Sequence, residues 1–272
     1  MKPNAILEHL TTLASGNMEA RSRLPTALAE YLEIDTPRPE IEPKLADLLV
    51  RALASTTRNQ QRLLSDALQT LANPASEIDR ALREALRSEA SDFAWGAAYT
   101  LGKRNPITKE IWPIVRAMMG EDDGDSRWAA AEIACAMANQ LPDIAQALRE
   151  ACTDPNPTHR RMALYFHRDL RAPDLYELAG ANLADPMPHG RLASLAALAT
   201  IPSSEIPVES QASLARALLQ VLEYDVDPGV QRAAAACIGK IQLAGTRESL
   251  ITAAASPDTG MARAASRALE KW

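Results

Sequence analysis

The chain has 272 residues, of which 47% are hydrophobic but only 4% aromatic, and its net charge is −6. Its apolar residues are mainly Ala and Leu, which favour helices. The sequence lacks an apolar run of about 18 residues, and Glu8 and His9 interrupt the first segment where a signal peptide needs apolar residues. These features argue against a membrane span and against secretion, and they predict a cytoplasmic location.

A helical pattern with small or apolar residues at i, i+3, i+4 and i+7 recurs along the chain. Copies begin near Ala20, Gln60, Phe93, Ser126, His159 and Gly190, and the clearest copies cover residues 225–241 and 261–271. Each copy has a late residue that we predict to anchor the core, and these anchors are Leu28, Leu68, Leu101, Ala134, His167, Leu198, Ile238 and Leu269. Successive anchors lie 31 to 40 residues apart, and the two longest steps contain Pro-rich inserts, at residues 36–43 and 202–210.

A second amphipathic stretch lies between each pair of copies. These stretches cover residues 44–53, 78–86, 111–119, 144–151, 175–183, 214–222 and 248–255. Each repeat is therefore predicted to be a helical hairpin, and a single hairpin cannot bury its apolar face. The sequence thus predicts one all-α solenoid over residues 1–272, built from about eight stacked hairpins.

The segment DPGVQRAAAACIGKI, residues 227–241, resembles the HEAT-like repeats of the phycobilisome-lyase type. The resemblance covers nearly the whole chain and implies a right-handed alpha-alpha superhelix, in which the second helix of each hairpin lines the concave surface. It does not select a function, because such repeats occur in adaptors, bilin lyases, a metal hydroxylase and DNA glycosylases.

The third and seventh residues of each copy lie one turn apart on the predicted concave face. The third positions are Ser22, Arg62, Trp95, Trp128, Arg161, Leu192, Arg232 and Arg263. The seventh positions are Thr26, Asp66, Tyr99, Glu132, Tyr165, Ala196, Ala236 and Arg267. The middle repeats thus predict a binding patch of Trp95, Tyr99, Trp128, Glu132, Arg161 and Tyr165, because aromatic residues and Arg dominate recognition surfaces. The alternative is that these rings fill the core between helices.

Arginines accumulate at the second and third positions, at Arg21, Arg62, Arg127, Arg160, Arg161, Arg191, Arg232 and Arg263. They could form a basic strip on the concave face. We favour a structural role for most of them, in which each Arg binds an Asp or a carbonyl of a neighbouring loop. Asp123, Asp154, Asp185 and Asp227 recur with the repeat and are the expected partners.

The titratable side chains do not form a recognisable metal or cofactor motif. The three cysteines and four histidines are dispersed, and no phosphate-binding loop or nucleophile elbow is present. The acidic loop at residues 121–125 fits a calcium loop poorly because it lacks the Gly at the sixth position. We therefore expect no cofactor and no metal.

These observations favour a non-catalytic scaffold that binds a protein or an extended peptide on the concave face. One alternative is a HEAT-like glycosylase acting on alkylated DNA bases, in which Glu132 would supply the carboxylate, although the negative net charge disfavours nucleic acid. A bilin lyase or bilin-binding protein is a further alternative. The last hairpin could also present an uncapped apolar face, which suggests a homodimer formed through the C-terminal end.

Overall fold

The structure, a computed structural model, describes residues 3–34, 40–55 and 57–272, and every regular element within them is helical. Residues 36–39 of the first Pro-rich insert lie outside the described part. The chain divides into two compact units, which cover residues 1–141 and 142–272. The prediction of an all-α fold is confirmed, whereas the organisation as one solenoid domain stays a prediction.

Unit 1 consists of four hairpins. Its helices are α1 (Pro3–Ser15), α2 (Met18–Arg21), α3 (Leu24–Leu32), α4 (Pro43–Arg51), α5 (Arg58–Leu71), α6 (Glu77–Ala85), α7 (Ser91–Gly102), α8 (Trp112–Met119) and α9 (Gly124–Gln140). The second helices form one row, in which α3 packs on α5, α5 on α7 and α7 on α9. The first helices also pack in order, α1 on α4 and α4 on α6.

Unit 2 repeats this arrangement. Its helices are α10 (Pro142–Glu150), α11 (Pro157–Asp169), α12 (Leu175–Ala181), α13 (Pro188–Leu198), α14 (Val208–Tyr224), α15 (Pro228–Ile241), α16 (Arg247–Ala254) and α17 (Thr259–Leu269). Again the second helices stack in order, α11 on α13, α13 on α15 and α15 on α17. The second Pro-rich insert contains a short 3-10 turn, Ser203–Glu205, and the start of α14. The predicted hairpins are therefore confirmed in both units.

The predicted anchor residues form the core of both units. Seven of the eight are at most 3% exposed, and Leu269 is half-buried. Burying a Leu or Ile side chain contributes about 1.5–3 kcal/mol to folding, so these positions hold the stack together. His167 occupies one of them, and this residue is 3% exposed.

The turn residues in the repeats start the second helices. Asp227 accepts hydrogen bonds from the backbone N–H groups of Gly229 and Val230, at 2.7 and 3.2 Å, and thereby caps α15. Asp258 caps α17 in the same way, and Asn156 caps α11. Such caps satisfy amides that have no partner within the helix. They fix where each second helix begins, and so which residues occupy its third and seventh positions.

Candidate functional site

The predicted face of the second helices is accessible to solvent in both units. None of the eight residues at the seventh position is buried. The residue at the third position is either half-buried or exposed in every copy except one. The exception is Trp95 on α7. The frame read from the sequence therefore places the right face outward.

The six predicted patch residues divide between the two units. Trp95, Tyr99, Trp128 and Glu132 belong to unit 1, whereas Arg161 and Tyr165 belong to unit 2. Trp128 on α9 is 45% exposed, Glu132 is exposed, and Tyr99 on α7 is half-buried.

The expectation that Trp95 faces solvent is wrong, because only 6% of this residue is exposed. The adjacent residue, Gly96, is closely packed. A Cβ atom at Gly96 would lie 2.9 Å from Leu53 Cβ and 3.0 Å from Gln61 Nε2, so the missing side chain lets α7 approach its neighbours closely.

A small open pocket lies on the second-helix face of unit 1, with the rings of Trp95 and Tyr99 on α7 in its wall. Their centroids are 5.7 Å apart and their planes are inclined by 48°, a tilted arrangement that aromatic pairs favour. We call this cavity the unit 1 pocket, and its lining is Arg58, Gln61, Arg62, Trp95, Tyr99, Asp125, Ser126 and Ala129.

The two arginines of the unit 1 pocket differ in their partners. Arg58 forms ion pairs with Asp123 at 2.7 Å and with Asp125 at 3.4 Å. The pKa of Asp123 is lowered by its hydrogen bonds with Ser126, which it caps at the start of α9, and further by Arg58. Arg62, one turn along α5, is exposed and has no ion-pair or hydrogen-bond partner among the described residues. Its guanidinium is thus unpaired, whereas that of Arg58 binds two carboxylates.

A second cation, Lys103, lies over the Tyr99 ring. The ammonium of Lys103 is 4.5 Å from the ring centroid and also forms an ion pair with Asp66 on α5. Burial by itself lowers the pKa of Lys103, but the interactions with Asp66 and Tyr99 together outweigh it and the pKa is raised. Lys103 therefore stays charged and fixes the position of the Tyr99 ring.

Arg161 and Tyr165 lie on α11 in unit 2. Tyr165 is half-buried against the core of that unit, and the guanidinium of Arg168 lies 5.0 Å from its ring centroid. Arg161 is half-buried, and its Nε atom has no hydrogen-bond partner within the described part of the chain. These two residues are less accessible than Trp128.

The predicted structural ladder of arginines is present in unit 2. Arg160 donates from Nε and Nη2 to both oxygens of Asp185, at 2.7 and 2.9 Å, and from Nη1 to the Asp154 carbonyl. Arg191 repeats this pattern one hairpin later, with Asp225 at 2.6 and 2.7 Å and with the Asp185 carbonyl at 2.9 Å. These arginines join successive hairpins and are not free to bind a ligand.

Two details of the predicted ladder differ in the structure. The partner of Arg191 is Asp225, whereas Asp227 caps α15. Asp123 pairs with Arg58 from α5, 65 residues away in sequence, instead of with an arginine of its own repeat. Arg127 follows the prediction in binding loop carbonyls, those of Glu121 and Asp122.

Sequence reasoning missed Arg58, Lys103 and Asp125. Arg58 lies four residues before Arg62, and Lys103 lies four residues after Tyr99, so both share the same helix face as predicted site residues. Extending the third and seventh positions by one turn in each direction would have found these two cations. The pairing of Arg58 with Asp125 has no local signal, because it joins the first turns of two helices, α5 and α9, that belong to different hairpins.

Other features relevant to chemistry are few in the described residues. They contain no group of three or more His, Cys, Asp and Glu side chains that could hold a metal ion. Burial raises the pKa of the Cys152 and Cys237 thiols to about 12. In the same part of the chain, no helix combines the length and the apolar character that crossing a bilayer requires.

No protein-family model matches the chain, and no curated protein matches it. Solved structures do match. The karyopherin Kap121p bound to RanGTP has a TM-score of 0.58 and 17% identity, over 98% of this chain and 33% of that one. Kap121p bound to Ste12p has a TM-score of 0.56 and 16% identity, over 99% and 33% of the two chains. Cex1p has a TM-score of 0.50 and 14% identity, over 88% and 53%.

These likenesses concern the fold. The chain has an all-α fold of the alpha-alpha superhelix class, as the sequence predicted, and it spans 33% of the Kap121p chain. At 14–17% identity they do not carry an activity or a partner to this chain. The assignment to the phycobilisome-lyase type of repeat stays a prediction.

Proposed function

We propose that this chain is a non-catalytic scaffold, and that the second-helix face of unit 1 binds an extended peptide of a partner protein. The observation that carries the proposal is the exposure of Trp128, at 45%, on the same face as Tyr99 and the unit 1 pocket. A Trp that stays half in water leaves apolar area which a partner can bury.

The neighbouring helices supply the polar contacts that a peptide backbone and its side chains require. Arg62 and Asp66 on α5 lie on one side of the α7 rings, and Glu132 on α9 lies beside Trp128 on the other. An apolar centre between polar side chains is typical of protein interfaces. Kap121p, whose structures include those with Ste12p and RanGTP, is an example of this fold class with bound protein.

Peptide selection tests this proposal directly. Random displayed peptides of about twelve residues, long enough to cross three helices spaced about 8–10 Å apart, are selected on the immobilised chain. We expect sequence families that bind the wild type and bind Trp128→Ala at least about tenfold more weakly, since buried Trp residues dominate interfaces.

Trp272 provides a matched control, because it is 41% exposed but belongs to unit 2. Trp272→Ala should bind the selected peptides like the wild type. Selection that yields no peptide above background, or peptides that bind both variants equally, would contradict the proposal. Retention of the chain on duplex DNA with a steep salt dependence would instead favour a nucleic-acid ligand.

A further inference from the structure

We infer that unit 2 has a binding face of its own, on which α15 and α17 bind an acidic segment of a partner protein. This face is separate from the one proposed in unit 1. It consists of Arg232 and Lys240 on α15 and of Arg263 and Arg267 on α17, and we call it the unit 2 basic face. The reason is an excess of positive charge at positions that are open to solvent.

Charge is divided unequally between the first and second helices of unit 2. The second helices α11, α13, α15 and α17 contain eight basic residues and one acidic residue, Asp169. The first helices α10, α12, α14 and α16 contain six acidic and three basic residues. In unit 1 the second helices α3, α5, α7 and α9 contain five acidic and three basic residues. The excess of positive charge is therefore specific to the second helices of unit 2.

The structural ladder does not use the cations of the unit 2 basic face. The ladder arginines of α11 and α13 lie at the second position of those helices and bind carboxylates. On α15 and α17 the second position holds Gln231 and Ala262, so the ladder ends before these helices. Arg232 and Arg263 lie at the third position and Arg267 at the seventh, which are the positions that face solvent.

Most of the positive charge on this face is not balanced. Three of its cations have no ion-pair or hydrogen-bond partner among the described residues, and they are Lys240, Arg263 and Arg267. The fourth, Arg232, approaches Asp258 to 3.8 Å, so these two charges offset each other. Glu270 and Lys271, which follow α17, have opposite signs and cancel. The unit 2 basic face therefore keeps three positive charges in excess.

The two helices lie close enough for their cations to act on one ligand. A Cβ atom on Gly239 would lie only 2.6 Å from Ala268 Cβ, so α15 and α17 pack tightly. The Nη1 atom of Arg232 reaches across to the start of α17, within 3.2 Å of where a Cβ on Gly260 would lie. Helices in contact are about 8–10 Å apart, close to the Debye length at physiological salt, so the potentials of the cations add.

Carboxylates at alternate positions of an extended segment match these cations. Three of the four cations are arginines, and a planar guanidinium binds a carboxylate through two parallel hydrogen bonds. Arg263 and Arg267 are one helical turn apart, about 6 Å along the axis. Alternate side chains of an extended chain point the same way and are about 6.6 Å apart. A segment with Asp or Glu at alternate positions can therefore pair with both arginines at once.

Nucleic acid fits this face less well, although its phosphates also pair with arginine. A protein that binds a duplex tightly makes about six to ten phosphate contacts, whereas this face offers three unpaired cations. Single strands are bound by stacking their bases on aromatic side chains. Helices α13, α15 and α17 contain no Phe, Tyr or Trp, so they provide no such platform.

Selection of displayed peptides, of the same length as those used for unit 1, tests the inference on variants of the full chain. On the wild type we expect a family with Asp or Glu at alternate positions. The double variant Arg263→Glu, Arg267→Glu should not select this family. The double variant Arg216→Glu, Arg247→Glu is the matched control, because both residues are exposed on first helices of unit 2 and the change in net charge is the same.

A synthetic pair of peptides measures the contribution of the carboxylates. The best acidic peptide, with an amidated C-terminus, is compared with the version in which Asn and Gln replace its Asp and Glu. The amide version should bind the wild type at least about tenfold more weakly. The acidic peptide should bind the Arg263→Glu, Arg267→Glu variant at least about tenfold more weakly, and the control variant less than about threefold more weakly. Urea unfolding of each variant checks that it folds.

The outcomes separate this inference from the function proposed for unit 1. Acidic peptides that bind Trp128→Ala as they bind the wild type support a separate face, whereas their loss on Trp128→Ala overturns it. Absence of an acidic family, an amide version that binds as tightly as the acid, or equal losses on the two double variants also overturn it. None of these three results affects the peptide site of unit 1.

Two further measurements identify other occupants. A DNA duplex that binds the wild type more tightly than the best peptide, and that is lost on the Arg263→Glu, Arg267→Glu variant, would make nucleic acid the ligand and overturn the inference. Sedimentation that shows a dimer for the wild type and a monomer for this variant would make a second copy of the chain the occupant and overturn it as well. We expect no tight duplex binding and the same sedimentation for both proteins.

Discussion

Replacing Arg191 by Met should destabilise unit 2 by about 3 kcal/mol, because it leaves a buried carboxylate without its counter-charge. The side chains of Arg191 and Asp225 are only 10% and 5% exposed, and two hydrogen bonds of 2.6 and 2.7 Å join them. Breaking a buried pair costs about 3–5 kcal/mol. The lower end applies because Asp225 keeps the hydrogen bond from the Asp227 amide at 2.9 Å and Met preserves the aliphatic packing.

Acid should reduce the difference in stability between the wild type and Arg191→Met. Burial by itself raises the pKa of Asp225, but in the wild type Arg191 and the Asp227 amide hold it below its ordinary value. The wild-type contribution is therefore complete above the ordinary Asp pKa, about 3.9, and is lost as the pH falls through the lowered folded value. In Arg191→Met, the guanidinium no longer opposes the effect of burial, and the pKa of Asp225 rises. Asp225 is then protonated at a higher pH than in the wild type, which removes the cost of its buried charge in the variant.

The assay is urea unfolding followed by circular dichroism, together with hydrogen exchange of α13 and α15, which separates unit 2 from unit 1. Arg232→Met is the matched control, because Arg232 is 42% exposed and approaches Asp258 only to 3.8 Å. The Arg232→Met substitution should lower the free energy of unfolding by less than about 1 kcal/mol. A decrease in the free energy of unfolding of less than about 1 kcal/mol for Arg191→Met, or equal decreases for both variants, would refute the structural role of the ladder.

Three further predictions concern the core. Gly239→Ala should destabilise the chain by about 1–3 kcal/mol, because the new Cβ would lie 2.7 Å from Ala268 Cα on α17. Gly180→Ala meets only ordinary contacts and should stabilise α12 by up to about 1 kcal/mol. Urea unfolding of both variants checks that the two changes in stability have opposite signs. Burial lowers the pKa of His167, so the wild type should lose stability as the pH falls below about 6.5. The His167→Leu variant should not show this loss. Free energies of unfolding measured at about pH 7.5 and about pH 5.5 check the difference. Trp95→Ala should cost about 3–5 kcal/mol in the same assay, since its side chain is buried, and a loss below 1 kcal/mol would contradict that placement.

The helical hairpins could be predicted because the pattern of apolar residues recurs both within each helix and from one hairpin to the next. The anchors recur with a nearly constant spacing, and a helix that buries every third or fourth residue leaves only one way to orient its exposed positions. The seventh positions, from Thr26 to Arg267, are accessible for this reason. Local turn chemistry accounts for the caps of α15 and α17, where an Asp precedes the helix.

The candidate site was only partly predictable, because its polar contacts join residues that are distant in sequence. The pairing of Arg58 with Asp123 and Asp125 spans 65 and 67 positions, and no periodic pattern encodes it. The burial of Trp95 depends on how α7 packs against its neighbours, which the spacing of the repeat does not encode. A ring at the third position thus faces outward on α9 but is covered on α7.

The central claim is that the second-helix face of unit 1 binds a peptide, and titration calorimetry of a selected peptide with Trp128→Ala tests it most directly. Trp128 suits this test better than Trp95, because removing an exposed side chain leaves the core intact. We predict an affinity at least about tenfold below that of the wild type, with a free energy of unfolding within about 1 kcal/mol of the wild-type value. Unchanged affinity for Trp128→Ala would contradict the claim.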